Sequence, residues 1–207
     1  MRVITLATQK GGSGKSTLAA SLAVTAEVDS LRVAVLDTDP QGSLFKWGER
    51  REAETPVVDQ CEPHQLASVL KTLPAQGFDL VLVDTAGAHN AAVAPALQAA
   101  DFCLVPVKPT LTDLEAAIPT AKQLRDRKKP FAFVLSQCFG STSRLNDAAA
   151  GLLKHGKVAA ANIHQRVDYT DAITAGLGVT EYNPNGAAAK ELKLLWAWLH
   201  REAGEPA

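Results

Sequence analysis

Short runs of apolar, often β-branched residues recur along the chain, and each is followed by a longer segment with helical spacing. Five runs predict strands, at residues 3–7, 32–37, 80–84, 102–107 and 131–136, and weaker strand signals lie near Val57 and Ala161. The first and central runs are apolar throughout and do not alternate with polar residues. This pattern is typical of strands whose two sheet faces are both covered.

The segments between these runs carry apolar residues at helical spacing. The stripes are Leu18, Leu22 and Ala26; Leu66, Leu70 and Leu73; and Leu114, Ile118 and Leu124. Strands that alternate with helices predict an α/β fold with a mostly parallel, twisted sheet, helices on both faces and right-handed crossovers. No linker, repeat or low-complexity segment interrupts the pattern, so we expect residues 1–207 to form a single domain.

Composition narrows the class of protein. The 207 residues are 46% hydrophobic, enough for a sizeable core, and the net charge of -1 means that any basic patch must be local. Cys61, Cys103 and Cys138 lack paired spacing, which argues against a zinc site and suits a reducing cytosol. No apolar run approaches the roughly 18 residues of a membrane span, so we expect a soluble intracellular protein.

Candidate chemistry begins at TQKGGSGKST, residues 8–17, between the first strand and the first helical stripe. Glycines at 11, 12 and 14 let successive backbone N–H groups point at one anion, and the helix that follows adds its positive end. Lys15 would reach the β- and γ-phosphates of a nucleotide, and Ser16 would offer its hydroxyl to Mg²⁺. The candidate ATP-binding residues here are Lys10, Gly11, Gly12, Ser13, Gly14, Lys15, Ser16 and Thr17.

Acidic residues end two of the predicted strands, where a phosphate-loop enzyme holds Mg²⁺ and positions water. LVLVDTAG places Asp84 at a strand end, with Gly87 three residues on, where its N–H could sense a γ-phosphate. VAVLDTDPQG places Asp37 and Asp39 two residues apart, so both can project to the same side of an extended chain. The alternative is that these aspartates only form turns at strand ends.

Five segments together resemble the ParA/MinD ATPases, a family with a deviant Walker A version of the P-loop NTPase fold. They are QKGGSGKST (9–17), DTDPQGS (37–43), VDTAG (83–87), VPVKPTLTDL (105–114) and GLGVTEYNPNGAAAKEL (176–192). The short chain is similar to the small ParF-like plasmid partition ATPases. The resemblance implies that Lys10 reaches across a homodimer to the ATP held by the other subunit, so that hydrolysis to ADP separates the subunits.

The resemblance also assigns site residues. Catalysis would rest on Lys10, Lys15, Asp37 and Asp39, with Asp39 orienting the attacking water. Asp37 would lie close to Mg²⁺ or its waters, and Asp84 would hold a metal-bound water. Pro109 and Asp113, beside Gly87, would lie at the dimer face. The expected adenine contacts are Tyr182, Asn183 and Pro184, with Gln137 where relatives often have an asparagine that touches adenine.

The implied function is an ATP-dependent partition or positioning ATPase with weak basal activity, cytoplasmic and associated with the nucleoid. A ParB-like protein or another small cargo adaptor would stimulate hydrolysis, and the ATP-bound dimer would hold nonspecific DNA through Arg166, Lys190 and Lys193. The sequence does not identify which cargo is moved. The alternative is a MinD-like, membrane-cycling regulator of cell division. It depends on the final helix, KELKLLWAWLH, for which we expect core packing because no polybasic tail follows.

Overall fold

The computed structural model describes residues 1–87 and 93–204, which contain one seven-stranded sheet. The strand order is β3-β2-β4-β1-β5-β6-β7, and every pairing is parallel. The strands are β1 Arg2–Leu6, β2 Val33–Asp37, β3 Val57–Gln60, β4 Leu80–Asp84, β5 Phe102–Val107, β6 Phe131–Leu135 and β7 Lys157–Val158. The predicted α/β fold with a mostly parallel sheet is confirmed.

The helices are α1 Lys15–Val28, α2 Ser43–Glu49, α3 Leu66–Thr72, α4 Ala94–Ala99, α5 Leu111–Asp126, α6 Thr142–Leu153, α7 Val167–Thr174, α8 Val179–Tyr182 and α9 Ala187–Ala203, with a 3₁₀ turn at Pro74–Gln76. The three predicted stripes lie in helices α1, α3 and α5, with Leu73 just after the end of α3. Alternate residues of a strand point to opposite faces of the sheet and belong to separate hydrophobic cores. Ile4 and Val35 pack with α1 and α9 on one face, and Val3 and Leu36 pack with α3 and α4 on the other. Helices therefore cover both faces, as the uninterrupted apolar strands predict.

The seventh strand lies earlier than predicted. It occupies Lys157–Val158 and pairs only with Ala132 and Phe133, so the prediction of a strand near Ala161 is wrong by three residues. Beyond the strand, the backbone N–H groups of Ala159 and Ile163 still donate to β6 carbonyls. The residues between them leave the ladder, which ends the strand before Ala161.

The final helix packs into the core, as expected. Its apolar stripe is Leu192, Leu195, Trp196 and Leu199, and all four side chains are buried together with α1. The Trp196 indole N–H donates to the Asp29 carboxylate at 2.6 Å, which satisfies its polar atom at the rim of that core. None of the helices within residues 1–87 and 93–204 combines the length and the hydrophobicity that a membrane span requires.

The register of the sheet gathers the candidate site at one edge. Leu6 and Asp37 both lie beside Asp84 in the parallel ladders of β1, β2 and β4. Parallel strands present their carboxyl ends at the same edge, so the loops after these strands and after β5 and β6 are neighbours. Segments that are distant in sequence therefore meet at the phosphate loop.

Candidate functional site

The phosphate loop folds as its glycines predict. Helix α1 begins at Lys15 and is capped by Gly14, whose φ is 88°. Gly12 also has a positive φ, of 71°, a conformation that residues with a Cβ rarely adopt. The loop therefore presents curled backbone at the positive end of a 14-residue helix, which is a site for a phosphate group.

Lys15 is buried at the base of this loop, with only 7% of its surface exposed. Burial lowers the pKa of its ammonium group, and the carboxylates of Asp84 and Asp39 oppose that shift. Gly87 lies against the same loop, because a Cβ built there would sit 3.1 Å from Lys15 Nζ and 3.0 Å from Gly11 Cα. The predicted proximity of the D-x-x-G glycine to the phosphate loop is present in the fold.

Ser16 and Asp84 form the candidate metal site. The Ser16 hydroxyl donates to Asp84 Oδ2 at 2.5 Å, and the Thr85 N–H donates to Asp84 Oδ1 at 3.0 Å. Burial raises the pKa of Asp84 to about 7. Mg²⁺ prefers oxygen ligands, keeps several waters and is usually held by one or two side chains together with substrate phosphates. The hydroxyl and carboxylate fit that donor set, although the described residues contain no cluster of three or more His, Cys, Asp or Glu that could hold a metal alone.

Asp37 and Asp39 differ in their surroundings. Asp37 is buried, and its carboxylate accepts the N–H groups of Asp39, at 2.9 Å, and of Leu44 and Phe45, at 2.9 and 3.0 Å. Asp39 is only half-buried and lines the cavity over the phosphate loop. Asp37 thus holds the loop that carries Asp39, while its predicted place beside Mg²⁺ stays a prediction.

Two cavities meet at the loop, with volumes of about 510 and 320 Å³. They share Gly14, Thr17, Gln137 and Ile173. The larger one contains the phosphate loop from Gly11 to Thr17, together with Asp39 and Gly87. The smaller one is walled by residues 163–166 and by α7. The larger cavity suits phosphates and the smaller one suits a nucleoside.

The residues expected to wall the adenine ring lie elsewhere. Tyr182, Asn183 and Pro184 line neither cavity; all three are exposed. The Tyr182 hydroxyl donates to Asp171 at 3.3 Å, and the Asn183 amide donates to Asp168 at 3.1 Å. Both contacts are with α7, outside the two cavities, and adenine contact by residues 182–184 stays a prediction. The wall of the smaller cavity is α7 itself with the segment before it.

The second lysine of the loop is held within its own chain. Lys10 Nζ lies 2.9 Å from Asp113 Oδ2, with 42% of the Lys10 side chain exposed. Burial alone would raise the pKa of Asp113, but the Thr110 hydroxyl and the Lys10 ammonium lower it overall. Pro109 is buried beside this pair. The motif thus places Lys10, Pro109 and Asp113 together at the lip of the phosphate loop.

The predicted DNA contacts separate into two groups. Arg166 donates to Glu191 Oε1 through Nε, at 3.1 Å, and Nη2, at 2.5 Å, and it lines the smaller cavity. Lys190 and Lys193 are exposed on α9, and Lys193 Nζ donates to the Pro184 carbonyl at 3.1 Å. Only the two lysines share an outer face, and DNA contact through any of the three stays a prediction.

Two residues near the loop escaped the sequence reasoning. The Ser136 hydroxyl donates to the Ser13 carbonyl at 2.8 Å, and Lys108 Nζ lies 4.0 Å from the position of a Cβ on Gly12. Both residues directly follow apolar strands, β6 and β5. A polar residue at the end of a predicted parallel strand is the signal that would have found them.

Part of this chain is similar in sequence to known proteins. The first relative is the Gloeobacter kilaueensis maintenance of carboxysome distribution protein A, 38% identical over 58% of this chain and 55% of its own length. Protein ParA of Rhizobium radiobacter is 36% identical over 55% of this chain and 51% of its own length. The chain therefore spans about half the length of these two relatives.

The fold has close structural neighbours. The septum site-determining protein MinD of Pyrococcus horikoshii, solved with Mg-ADP, superposes with a TM-score of 0.83, covering 98% of this chain and 97% of that one. At 17% identity this likeness shows the fold alone. Residues 4–179 match the family described as the CobQ/CobB/MinD/ParA nucleotide binding domain, a match that includes the phosphate loop and both aspartate strands. The chain therefore belongs to the CobQ/CobB/MinD/ParA nucleotide-binding family, as its resemblance to ParA/MinD ATPases predicts.

Proposed function

We propose that this chain is an ATP-dependent partition or positioning ATPase whose residues 1–207 work as one ATPase domain. The observation that carries the proposal is the convergence of Lys15, Ser16 and Asp39 on one cavity of about 510 Å³. The buried Asp84 carboxylate accepts the Ser16 hydroxyl from behind. Such a cavity combines a cation for the phosphates, oxygen ligands for a metal and a carboxylate facing the reacting atoms. The names of the two relatives, which concern carboxysome distribution and ParA, support the positioning role.

Each site residue has its own role in the hydrolysis of ATP to ADP and phosphate. Lys15 and the N–H groups of the loop bind the β- and γ-phosphates, and Ser16, with Asp84 behind it, would hold Mg²⁺. When bound, Mg²⁺ neutralises charge that develops on the phosphate oxygens. Asp39 orients the attacking water. The basal rate would be weak, and a partner would raise it.

Lys10 provides the proposed switch. In the single chain it pairs with Asp113, and 42% of its side chain stays exposed at the lip of the loop. An ammonium in this place can leave Asp113 for the triphosphate of a second copy, which makes ATP the link of a homodimer. Loss of the γ-phosphate weakens that link. The dimer therefore forms when ATP binds and dissociates after ATP is hydrolysed.

The dimer would hold nonspecific DNA through basic residues of its outer face, of which Lys190 and Lys193 are exposed on α9. The chain would then reside on the nucleoid in the cytoplasm, and a ParB-like or other small adaptor on the cargo would trigger release. The burial of the apolar stripe of α9 removes the feature that favoured a membrane-cycling role.

Retention on immobilised nonspecific DNA tests the proposal, with the chain supplied with ATP, ADP or a non-hydrolysable ATP analogue in the presence of Mg²⁺. We expect retention with ATP and the analogue and release with ADP. Lys15→Ala should bind no nucleotide and should not be retained, whereas Lys71→Ala, an exposed lysine of α3, is the matched control. Retention that is the same with all three nucleotides contradicts the proposed switch.

A further inference from the structure

We propose that Gln137 is a positioning residue that holds the phosphate loop in its binding conformation, instead of a residue that contacts the base. The identity of the ligand rests on the proposed function, whereas the contact that holds the loop is a property of the fold. Gln137 directly follows Ser136 at the carboxyl end of β6, and it lies 125 residues from the loop glycine that it contacts.

A loop that turns its N–H groups toward an anion turns carbonyl oxygens away from it, and those oxygens need partners of their own. Two consecutive residues after β6 supply them. The Ser136 hydroxyl donates to the Ser13 carbonyl at 2.8 Å, and Gln137 Nε2 donates to the Gly12 carbonyl at 2.9 Å. The outer side of the loop is therefore fixed to the sheet at two neighbouring peptide groups.

The backbone of Gln137 adopts a strained conformation in order to place the side chain against the loop. Its φ is 48°, in the left-handed region that is unfavourable for residues with a Cβ. The other described non-glycine residues with positive φ are Ser30 and Lys128, which follow the ends of α1 and α5, where such a conformation commonly ends a helix. Gln137 follows a strand, so helix termination does not explain its conformation, and strain of this kind persists at functional sites.

The carboxamide lies where the two cavities meet and faces the loop. Gln137 lines both cavities, and a Cβ built on Gly14 would lie 3.4 Å from Gln137 Nε2. Because Nε2 already donates to the Gly12 carbonyl, the side chain spans the loop between two of its glycines. Its removal should weaken the binding of any phosphate ligand, whatever base that ligand carries.

The test compares Gln137→Gly and Gln137→Ala with the wild type by calorimetric titration with Mg-ATP, Mg-ADP and Mg-tripolyphosphate, which has no base. A hydrogen bond of this kind predicts about fivefold weaker binding of all three ligands. Glycine relieves the strain at φ 48° and alanine keeps it, so an equal loss in both variants assigns the effect to the amide. Gln98→Ala, exposed on α4, is the control.

Two outcomes overturn the inference: unchanged binding of all three ligands, or weaker binding of the nucleotides with unchanged binding of tripolyphosphate. The second would make Gln137 a base-contacting residue. Amide hydrogen exchange of residues 10–17 without ligand tests the contact independently, and Gln137→Gly should speed it about fivefold. Unchanged exchange refutes the contact, whereas a wild-type chain that binds none of the ligands refutes the proposed function instead.

Discussion

The substitution Asp84→Asn tests how burial controls the charge of the candidate metal site. Burial raises the pKa of Asp84 from 3.8 to about 7, because the carboxylate would be charged in a place without water. Asparagine keeps the shape and the oxygen that can accept the Thr85 N–H, and it cannot ionise. Its amide can also donate to the Ser16 hydroxyl, so the change removes the titration with little loss of packing.

The magnitude follows from the two pKa values. Between about pH 4 and about pH 7 the folded chain keeps a proton that the unfolded chain releases, so the free energy of unfolding falls as the pH rises. The two pKa values differ by about 3, and each pKa unit corresponds to about 1.4 kcal/mol. The free energy of unfolding of the wild type should therefore fall by up to about 4 kcal/mol across this pH range. Because the asparagine cannot ionise, Asp84→Asn does not undergo this fall. Its free energy of unfolding relative to that of the wild type should therefore rise by the same amount between about pH 4 and about pH 7.

Urea unfolding at a series of pH values, without nucleotide, measures the difference between the two proteins. Asp147→Asn, which removes an exposed carboxylate from α6, is the control for the loss of one negative charge. Addition of Mg-ATP at high pH should stabilise the wild type more than Asp84→Asn, because the metal compensates the carboxylate charge. A stability difference that stays constant from acid to neutral pH would refute the reasoning about burial.

Three further predictions concern assembly, turnover and packing. Lys10→Ala should bind ATP and stay monomeric in light scattering, and normal dimerisation would contradict the trans contact. Asp39→Ala should form a long-lived ATP dimer with hydrolysis reduced at least about tenfold, as oriented groups of this kind contribute in acid–base catalysis; a monomer with ATP would count against its role. Gly48→Ala should lose about 1–3 kcal/mol of unfolding free energy because its Cβ would sit 2.6 Å from Val58 Cβ. Gly151→Ala, with open space in α6, should gain up to about 1 kcal/mol in the same urea experiment.

The elements that the sequence predicts well are those whose signals are local. An apolar strand followed by a glycine loop and a helical stripe identifies the start of α1, and each long buried strand carries its own pattern. The two-residue strand β7 fails this test, because its position depends on pairing with Ala132 and Phe133 and not on its own sequence. The burial of the α9 stripe is also predicted, because an apolar stripe without a polybasic tail favours core packing.

The parts of the site that sequence reasoning missed depend on contacts between distant residues. The hydrogen bond from Gln137 to the Gly12 carbonyl joins residues that are 125 positions apart. Neither residue type, on its own, indicates that this bond forms. The adenine contact of Tyr182 comes from a resemblance and stays a prediction, and in the fold the Tyr182 hydroxyl donates to Asp171 on α7. Which side of a helix faces a cavity depends on the packing of several elements, and one sequence does not contain that information in readable form.

The buried carboxylate of Asp37 joins the candidate site to the surface helix α2. It binds the backbone of Asp39 and the first turn of α2 at the same time, through Leu44 and Phe45. A displacement of that helix should therefore shift the backbone of Asp39 as well. If Asp39 orients water as proposed, a partner that binds the outer side of α2 would change the rate of hydrolysis without reaching the nucleotide.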